Sequence, residues 1–186
     1  MSLTLLPTPP KRARVYVSSP LGFTEFGRLA MKDLYERLQD NDFDVRDPWD
    51  WPGQNEPSAS IKTADLLLTA RIAGVQRDRE VSREIAARNV TELKDADVVL
   101  AILDGADVDS GVAAEIGYAS AIRKPVVGLR TDARASSDSS GHVVNLQVAH
   151  LIAHSPHGSE HITTNTLEAI EALRTCVVAI RDAAEA

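Results

Sequence analysis

The chain predicts a single α/β domain, a parallel sheet of about five strands with helices on both faces. Two observations carry that expectation. Short β-branched runs alternate with stretches whose apolar residues recur at helical spacing, and such alternation packs as a parallel sheet between helical layers. The 186 residues contain no internal repeat and suffice for one core, burying about 70% of the unfolded surface without disulfides or metal.

Residues 1–12, with Pro7, Pro9 and Pro10, are expected to form a flexible leader, leaving the domain to residues 13–186. The run Arg14-Val-Tyr16-Val-Ser18-Ser19 reads as the first strand, stopped by Pro20. Phe26, Leu29, Ala30, Leu34 and Leu38 give residues 24–39 a helical period. Phe43-Asp-Val-Arg46 reads as the second strand, ended by Pro48. Residues 49–60 hold Trp49, Trp51, two prolines and Gly53, and read as a long loop. Loops of that length in compact domains often serve function, which makes this one a candidate lid.

Helices are expected over 59–73 and 77–93, divided near Gly74. Residues 98–103 form the third strand, 110–123 a helix, 125–130 the fourth strand and 131–141 a loop rich in Ser, Asp and Gly. Residues 143–153 read as mostly helical, 160–164 as a short fifth strand, and 166–184 as an amphipathic closing helix. The architecture this order implies is flavodoxin/Rossmann-like.

A net charge of −7 argues against a nucleic-acid polymer or an anionic membrane as the main partner, and suits a small ligand. No apolar run approaches the roughly 20 residues that span a bilayer. The short apolar start precedes its basic residues, the reverse of a secretory signal. The single cysteine, Cys176, permits no disulfide within the chain and suits a cytoplasmic location. With no activating cation beside it, Cys176 is expected to be a core or interface residue.

In the segment Gly111-Val-Ala-Ala-Glu115-Ile-Gly-Tyr118-Ala-Ser-Ala-Ile122, Glu115 is the one charge among small and apolar neighbours. It follows the acidic turn that holds Asp104, Asp107 and Asp109. Open α/β sheets bind ligands at the carboxyl ends of their strands, so the ends of the first and third strands are the expected walls of a crevice. The first offers Tyr16, Ser18, Ser19 and the turn Pro20-Leu-Gly22-Phe23; the third offers the aspartates and then Glu115. A carboxylate held by a tyrosine suits chemistry at a sugar's anomeric carbon, where an anion stabilises and can trap an oxocarbenium-like state. A helix N-terminus nearby would help it stay anionic. The alternative is a solvated Glu115 with aspartates that merely cap the helix, and from spacing alone that is the commoner arrangement.

At these residues the chain resembles the nucleoside 2-deoxyribosyltransferase family. The resemblance runs from Val15 to Asn145 through five segments in order: Val15-Tyr16-Val-Ser-Ser-Pro20-Leu-Gly22-Phe23; Asn89 through Asp97 into the third strand; Asp109-Ser-Gly111-Val-Ala-Ala-Glu115-Ile-Gly117-Tyr118-Ala119; Lys124-Pro125 through Arg134; and Val144-Asn145-Leu146. It implies that Glu115 is the nucleophile at C1′ of a 2′-deoxynucleoside and that Tyr16 orients it. Asp109 would hold the 5′-hydroxyl. Asn145 would assist from a neighbouring subunit, making the site homo-oligomeric. Ser18, Gly22 and Phe23 fall among the implied substrate-binding residues. The implied partners are 2′-deoxynucleosides and free nucleobases, with no metal or organic cofactor.

Two positions depart from the family pattern. Asn89 stands where several members carry an aspartate thought to protonate the leaving base, and an amide cannot serve as a general acid. Val112 replaces a threonine found in many members.

His150, His154, His157 and His161 straddle Pro156-His-Gly158 without a carboxylate framework, so a solvated loop is expected there and not a metal site. Asp132 and Arg134 are expected to pair structurally. Trp49 and Trp51 could stack on a base or anchor a loop. The function expected is transfer of a deoxyribosyl group between bases. Hydrolysis of a deoxynucleoside or its 5′-monophosphate is one alternative, and a nucleoside-binding module without turnover is another.

Overall fold

A computed structural model describes residues 12–51, 61–134, 137–138, 140–157 and 162–185. The expected leader, apart from Arg12, lies outside these residues.

Strand β1 (Ala13–Ser18) leads through a 3₁₀ turn at Leu21–Phe23 into α1 (Glu25–Asp40). Thr24 starts α1 by accepting a hydrogen bond from the Gly27 N–H at 3.0 Å. Then come β2 (Phe43–Arg46), β3 (Asp50–Trp51), β4 (Ile61–Lys62), α2 (Thr63–Ala73) and α3 (Val75–Asp95). The chain continues as β5 (Val98–Ile102), α4 (Ser110–Ala121), β6 (Val126–Leu129), α5 (Leu146–Ala153) and α6 (Thr166–Glu185). No helix among the described residues is long and apolar enough to cross a membrane.

Strands β2-β1-β5-β6 form one sheet in that order, all pairs parallel. The chain builds outward from β1 to β2 and then crosses back to lay β5 on the other side of β1. The point of reversal lies between the carboxyl ends of β1 and β5, where open sheets leave a crevice.

Period-two alternation divides the side chains between two cores. Ala13, Val15 and Val17 of β1, with Val98, Leu100 and Ile102 of β5, pack against Met31, Leu34 and Leu38 of α1 and Ile170, Leu173 and Cys176 of α6. Tyr16, Val99 and Ala101 face the opposite way, onto Leu93 of α3, Val112, Ile116 and Ala119 of α4, and Val148 and Ile152 of α5. This alternation sends Tyr16 and Ser18 to the α4 side. Cys176 is buried in the first core, its thiol pushed up to about 11 by burial, and its Sγ donates to the His157 carbonyl at 3.0 Å.

Two expectations are corrected. The fifth strand shrinks to a single parallel bridge between Leu129 and Thr163, because the chain turns into α6 directly afterwards; Glu160 and His161 lie outside the described residues. The segment read as one long loop is instead opened and closed by the antiparallel pair β3–β4, with residues 52–60 outside the described set. Expected helix limits move by a few residues: α2 starts at Thr63, after β4, and α5 starts at Leu146, where Asn145 caps the N-terminus.

Leu100 is fully buried in a central strand. Leu100→Ala is expected to cost about 2–5 kcal/mol by loss of transfer energy and a residual cavity, read as a lower urea midpoint.

Candidate active site

The site begins with β1. Because Tyr16 and Ser18 are two residues apart on a strand, their hydroxyls point to the same face, directly under α4. The Tyr16 hydroxyl donates to Glu115 Oε1 at 2.7 Å, and the Ser18 hydroxyl donates to Oε2 at 2.5 Å. Both donors are fully buried. Each carboxylate oxygen thus has its own hydroxyl, and the plane of the group is set by two strand positions.

Burial raises the Glu115 pKa above the usual carboxylate value; the bonds from Ser18 and Tyr16 oppose that rise, and the nearby Asp109 charge adds to it. Burial, followed by the charge of Glu115 and the bond to it, pushes the Tyr16 phenol up, so it remains a donor at neutral pH. Glu115 lies six residues past the helix cap Asp109, in the second turn of α4. The terminal N–H groups of a helix act within the first turn, so here the hydroxyls hold the carboxylate and the helix end does not.

Glu115 forms part of the wall of a cavity of about 150 Å³, together with Ser19, Phe23, Pro48, Trp49, Thr63, Leu67, Ile85, Asn89, Asp109, Gly111 and Val112. Asp109 caps α4 by accepting from the Gly111 N–H at 2.8 Å and the Val112 N–H at 3.2 Å, both through Oδ1. Its Oδ2 has no partner among the described residues. Asp109 is therefore a cap and a cavity residue at once. Asn89 enters from α3, and its Oδ1 is buried without a partner among the described residues.

Trp49 closes another side. Its indole Nε1–H donates to the Ser19 carbonyl at 2.8 Å, and its ring meets Phe23 edge-on with centroids 4.4 Å apart. Gly22 permits this closure: a Cβ there would stand 1.9 Å from the indole Cδ2. A larger cavity of about 420 Å³ lies behind the same indole, against α1.

The structure separates the expected site residues by position. Glu115, Asp109, Asn89 and Phe23 line the cavity, Tyr16 and Ser18 lie beneath Glu115, and Gly22 supports the Trp49 wall. Asn145 is elsewhere in this chain. Its Oδ1 caps α5 at the Gln147 and Val148 N–H groups, and its Nδ2 donates to Asp138 at 2.7 Å.

Asp104 and Asp107 do not reach the cavity. Asp104 accepts from the Thr131 N–H and hydroxyl and from the Asp132 N–H, which ties the loop after β6 to the end of β5, while Asp107 turns back onto the Val108 N–H. Arg130, also buried, braces the same loops by donating to the carbonyls of Leu103, Gly105 and Arg134. Gly105 sits at φ 131°, which a side chain would strain.

Asp132 and Arg134 form the expected ion pair at 2.5 Å. His150 and His154 stack with centroids 4.0 Å apart, and no cluster among the described residues is arranged to hold a metal. Thr63, Leu67 and Ile85 were not singled out from the sequence. Their positions in α2 and α3 look like those of any surface helix until the tertiary fold turns them inward.

The family model for nucleoside 2-deoxyribosyltransferases matches residues 15–147, a span that holds Tyr16 and Ser18 of β1, the Trp49 wall, α4 and Asn145. The chain belongs to the nucleoside 2-deoxyribosyltransferase family. No curated protein matches it. Among solved structures, a conserved protein from Enterococcus faecalis V583 is similar at 24% identity and a TM-score of 0.61, over 87% of this chain and 97% of that one. A 2-deoxyribosyltransferase from the psychrotolerant bacterium Bacillus psychrosaccharolyticus is similar at 21% identity and a TM-score of 0.50, over 74% and 81% respectively. These two likenesses establish the shared fold. Membership supports a nucleoside deoxyribosyltransferase type of enzyme, acting on nucleosides and nucleobases.

Two consequences can be measured. Ser18→Ala removes a bond to the ionised form of Glu115, so its pKa should rise further. A carboxyl ¹³C titration should then move to higher pH than in the parent chain; an unchanged or lower midpoint would contradict the assigned bond. Gly22→Ala should displace the indole, read as a shifted tryptophan emission maximum with the fold retained by circular dichroism.

Proposed function

We propose that the protein transfers a 2-deoxyribosyl group between nucleobases through a covalent intermediate on Glu115. The observation that carries this reading is the carboxylate itself, gripped at both oxygens by hydroxyls and bordering a cavity with an aromatic wall. Such a group is oriented before substrate arrives and loses little freedom on reaching the transition state.

In the first half-reaction a Glu115 oxygen attacks C1′. The C1′–N bond breaks, its electron pair leaves with the base, and a deoxyribosyl ester remains. In the second, a nitrogen of the incoming base attacks C1′, the ester bond breaks, and its electron pair returns to Glu115. The N–H proton of the incoming base passes to water, as the departed base takes one from water. Two inversions give net retention, with ping-pong kinetics. A sugar without a 2′-hydroxyl reaches the oxocarbenium-like state more easily, which favours deoxynucleosides.

Trp49 and Phe23 offer stacking surfaces for the base. Oδ2 of Asp109 would accept a hydrogen bond from the sugar's 5′-hydroxyl. A 5′-phosphate suits the site poorly, since Asp109 repels it and no cation lines the cavity among the described residues. Asn145, which does not line the cavity of its own chain, would act from a partner subunit in a homo-oligomer. Light scattering of the purified protein would test that part.

Glu115 must be ionised to attack. Because burial raises its pKa, activity should be fully present only above the usual carboxylate range and fall as pH drops through the raised value. A plateau of kcat/KM that extends unchanged through the ordinary glutamate pKa would contradict this.

Incubating thymidine or deoxyinosine with a panel of acceptor bases, and separating products by chromatography, tests the reaction. New deoxynucleosides should form, and Glu115→Ala should lose about three or more orders of magnitude while staying folded. Free deoxyribose released at a rate indifferent to acceptor would replace transfer by hydrolysis. Tight nucleoside binding with no base release would make the domain a binding module.

A further inference from the structure

Among the described residues, the cavity contains a nucleophile but no acid to match it. Of its two carboxylates among the described residues, Glu115 is committed to the hydroxyls of Tyr16 and Ser18, and Asp109 is engaged through Oδ1 in capping α4. The remaining protic side chains are poor proton donors. Thr63 Oγ donates to the Pro48 carbonyl at 2.7 Å, and serine and threonine hydroxyls do not ionise near neutrality. Asn89 carries an amide, which can hydrogen-bond a base but not protonate it. Its buried Oδ1, without a partner among the described residues, calls for an N–H from the ligand.

The surroundings also favour positive charge. The indole of Trp49 presents an aromatic surface to the cavity, and both ionisable groups lining it among the described residues are carboxylates.

We infer that this pocket favours donors whose base departs without receiving a proton from the protein, namely deoxynucleosides carrying an already cationic base such as an N7-alkylated purine or a pyridinium. The inference rests on the Glu115 chemistry proposed above and adds the class of leaving group. With such a donor, the electron pair of the breaking C1′–N bond neutralises the base's own charge, and the base leaves neutral. With an uncharged donor, the base must leave as an anion or take a proton from water. Where the base carries an exocyclic N–H, as guanine does with or without the N7 methyl group, Asn89 Oδ1 accepts from it.

The test compares 7-methyl-2′-deoxyguanosine with 2′-deoxyguanosine as donors, with adenine as acceptor and base release followed by chromatography. The background measured with Glu115→Ala is subtracted. In a ping-pong scheme kcat/KM for the donor reports the first half-reaction, so a slow second step does not hide the effect. General acid catalysis supplies about 10²–10⁴-fold, so a site without it should favour the methylated donor by a factor of that order. Asn89→Asp supplies a titratable proton and should narrow the ratio by raising kcat/KM for 2′-deoxyguanosine.

A wild-type ratio near one overturns the inference while leaving the Glu115 chemistry intact. An unchanged ratio in Asn89→Asp overturns it as well. Failure of the wild-type protein to exceed Glu115→Ala with either donor removes the Glu115 chemistry and the inference together.

Discussion

The pair of hydrogen bonds from Tyr16 and Ser18 to the Glu115 carboxylate is the constraint around which the rest of the site is arranged. An ionised carboxylate taken out of water is costly unless strong donors replace the lost hydration. Hydroxyl bonds to an anion are charge-assisted and stronger than neutral ones. Here they come from one strand, so a single backbone segment fixes both oxygens of a group on a helix about a hundred positions further along the chain. The same bonds fasten α4 to the centre of the sheet, which makes the chemistry of the site and the seating of that helix one interaction.

The opposite wall depends on close approach rather than on charge. Trp49 lies over Gly22 where no side chain could fit, and its indole N–H is held by the Ser19 carbonyl just past β1. The end of β1 therefore supplies both the grip on the carboxylate and the seat of the aromatic wall. Beyond it, Asp104 and Arg130 bind the loops that follow β5 and β6, leaving the crevice at the sheet's point of reversal bounded on both sides. Polar residues that look alike in sequence thus divide into two sets, those that build loops and those that face the cavity.

How much of this was legible in the chain varies by element. The four long strands and the helices follow from alternation and helical periodicity, because burial on both faces of a sheet leaves a strong local pattern. Residues 160–164 carry a strand-like composition, yet only Thr163 pairs, since α6 begins at Thr166 and ends the extension. The β3–β4 pair was not foreseen because each strand is two residues long, too short for any period to register. Asp104, Asp107 and Asp109 were equivalent candidates in sequence. Their separate duties depend on which backbone N–H lies within reach of each, and no spacing rule specifies that.

By itself, the sequence determined the α/β class, the alternation that sends Tyr16 and Ser18 to one face, and the isolation of Glu115 among small residues. These are local properties, written in periods of two and 3.6 residues. Only the tertiary structure decided that the two hydroxyls take one oxygen each of Glu115, that Trp49 walls the cavity over Gly22, and that Asn89 brings to it an amide oxygen with no partner among the described residues. Those facts join segments as far as 99 residues apart, and such contacts are fixed by sheet order and helix packing, which no single stretch of chain encodes.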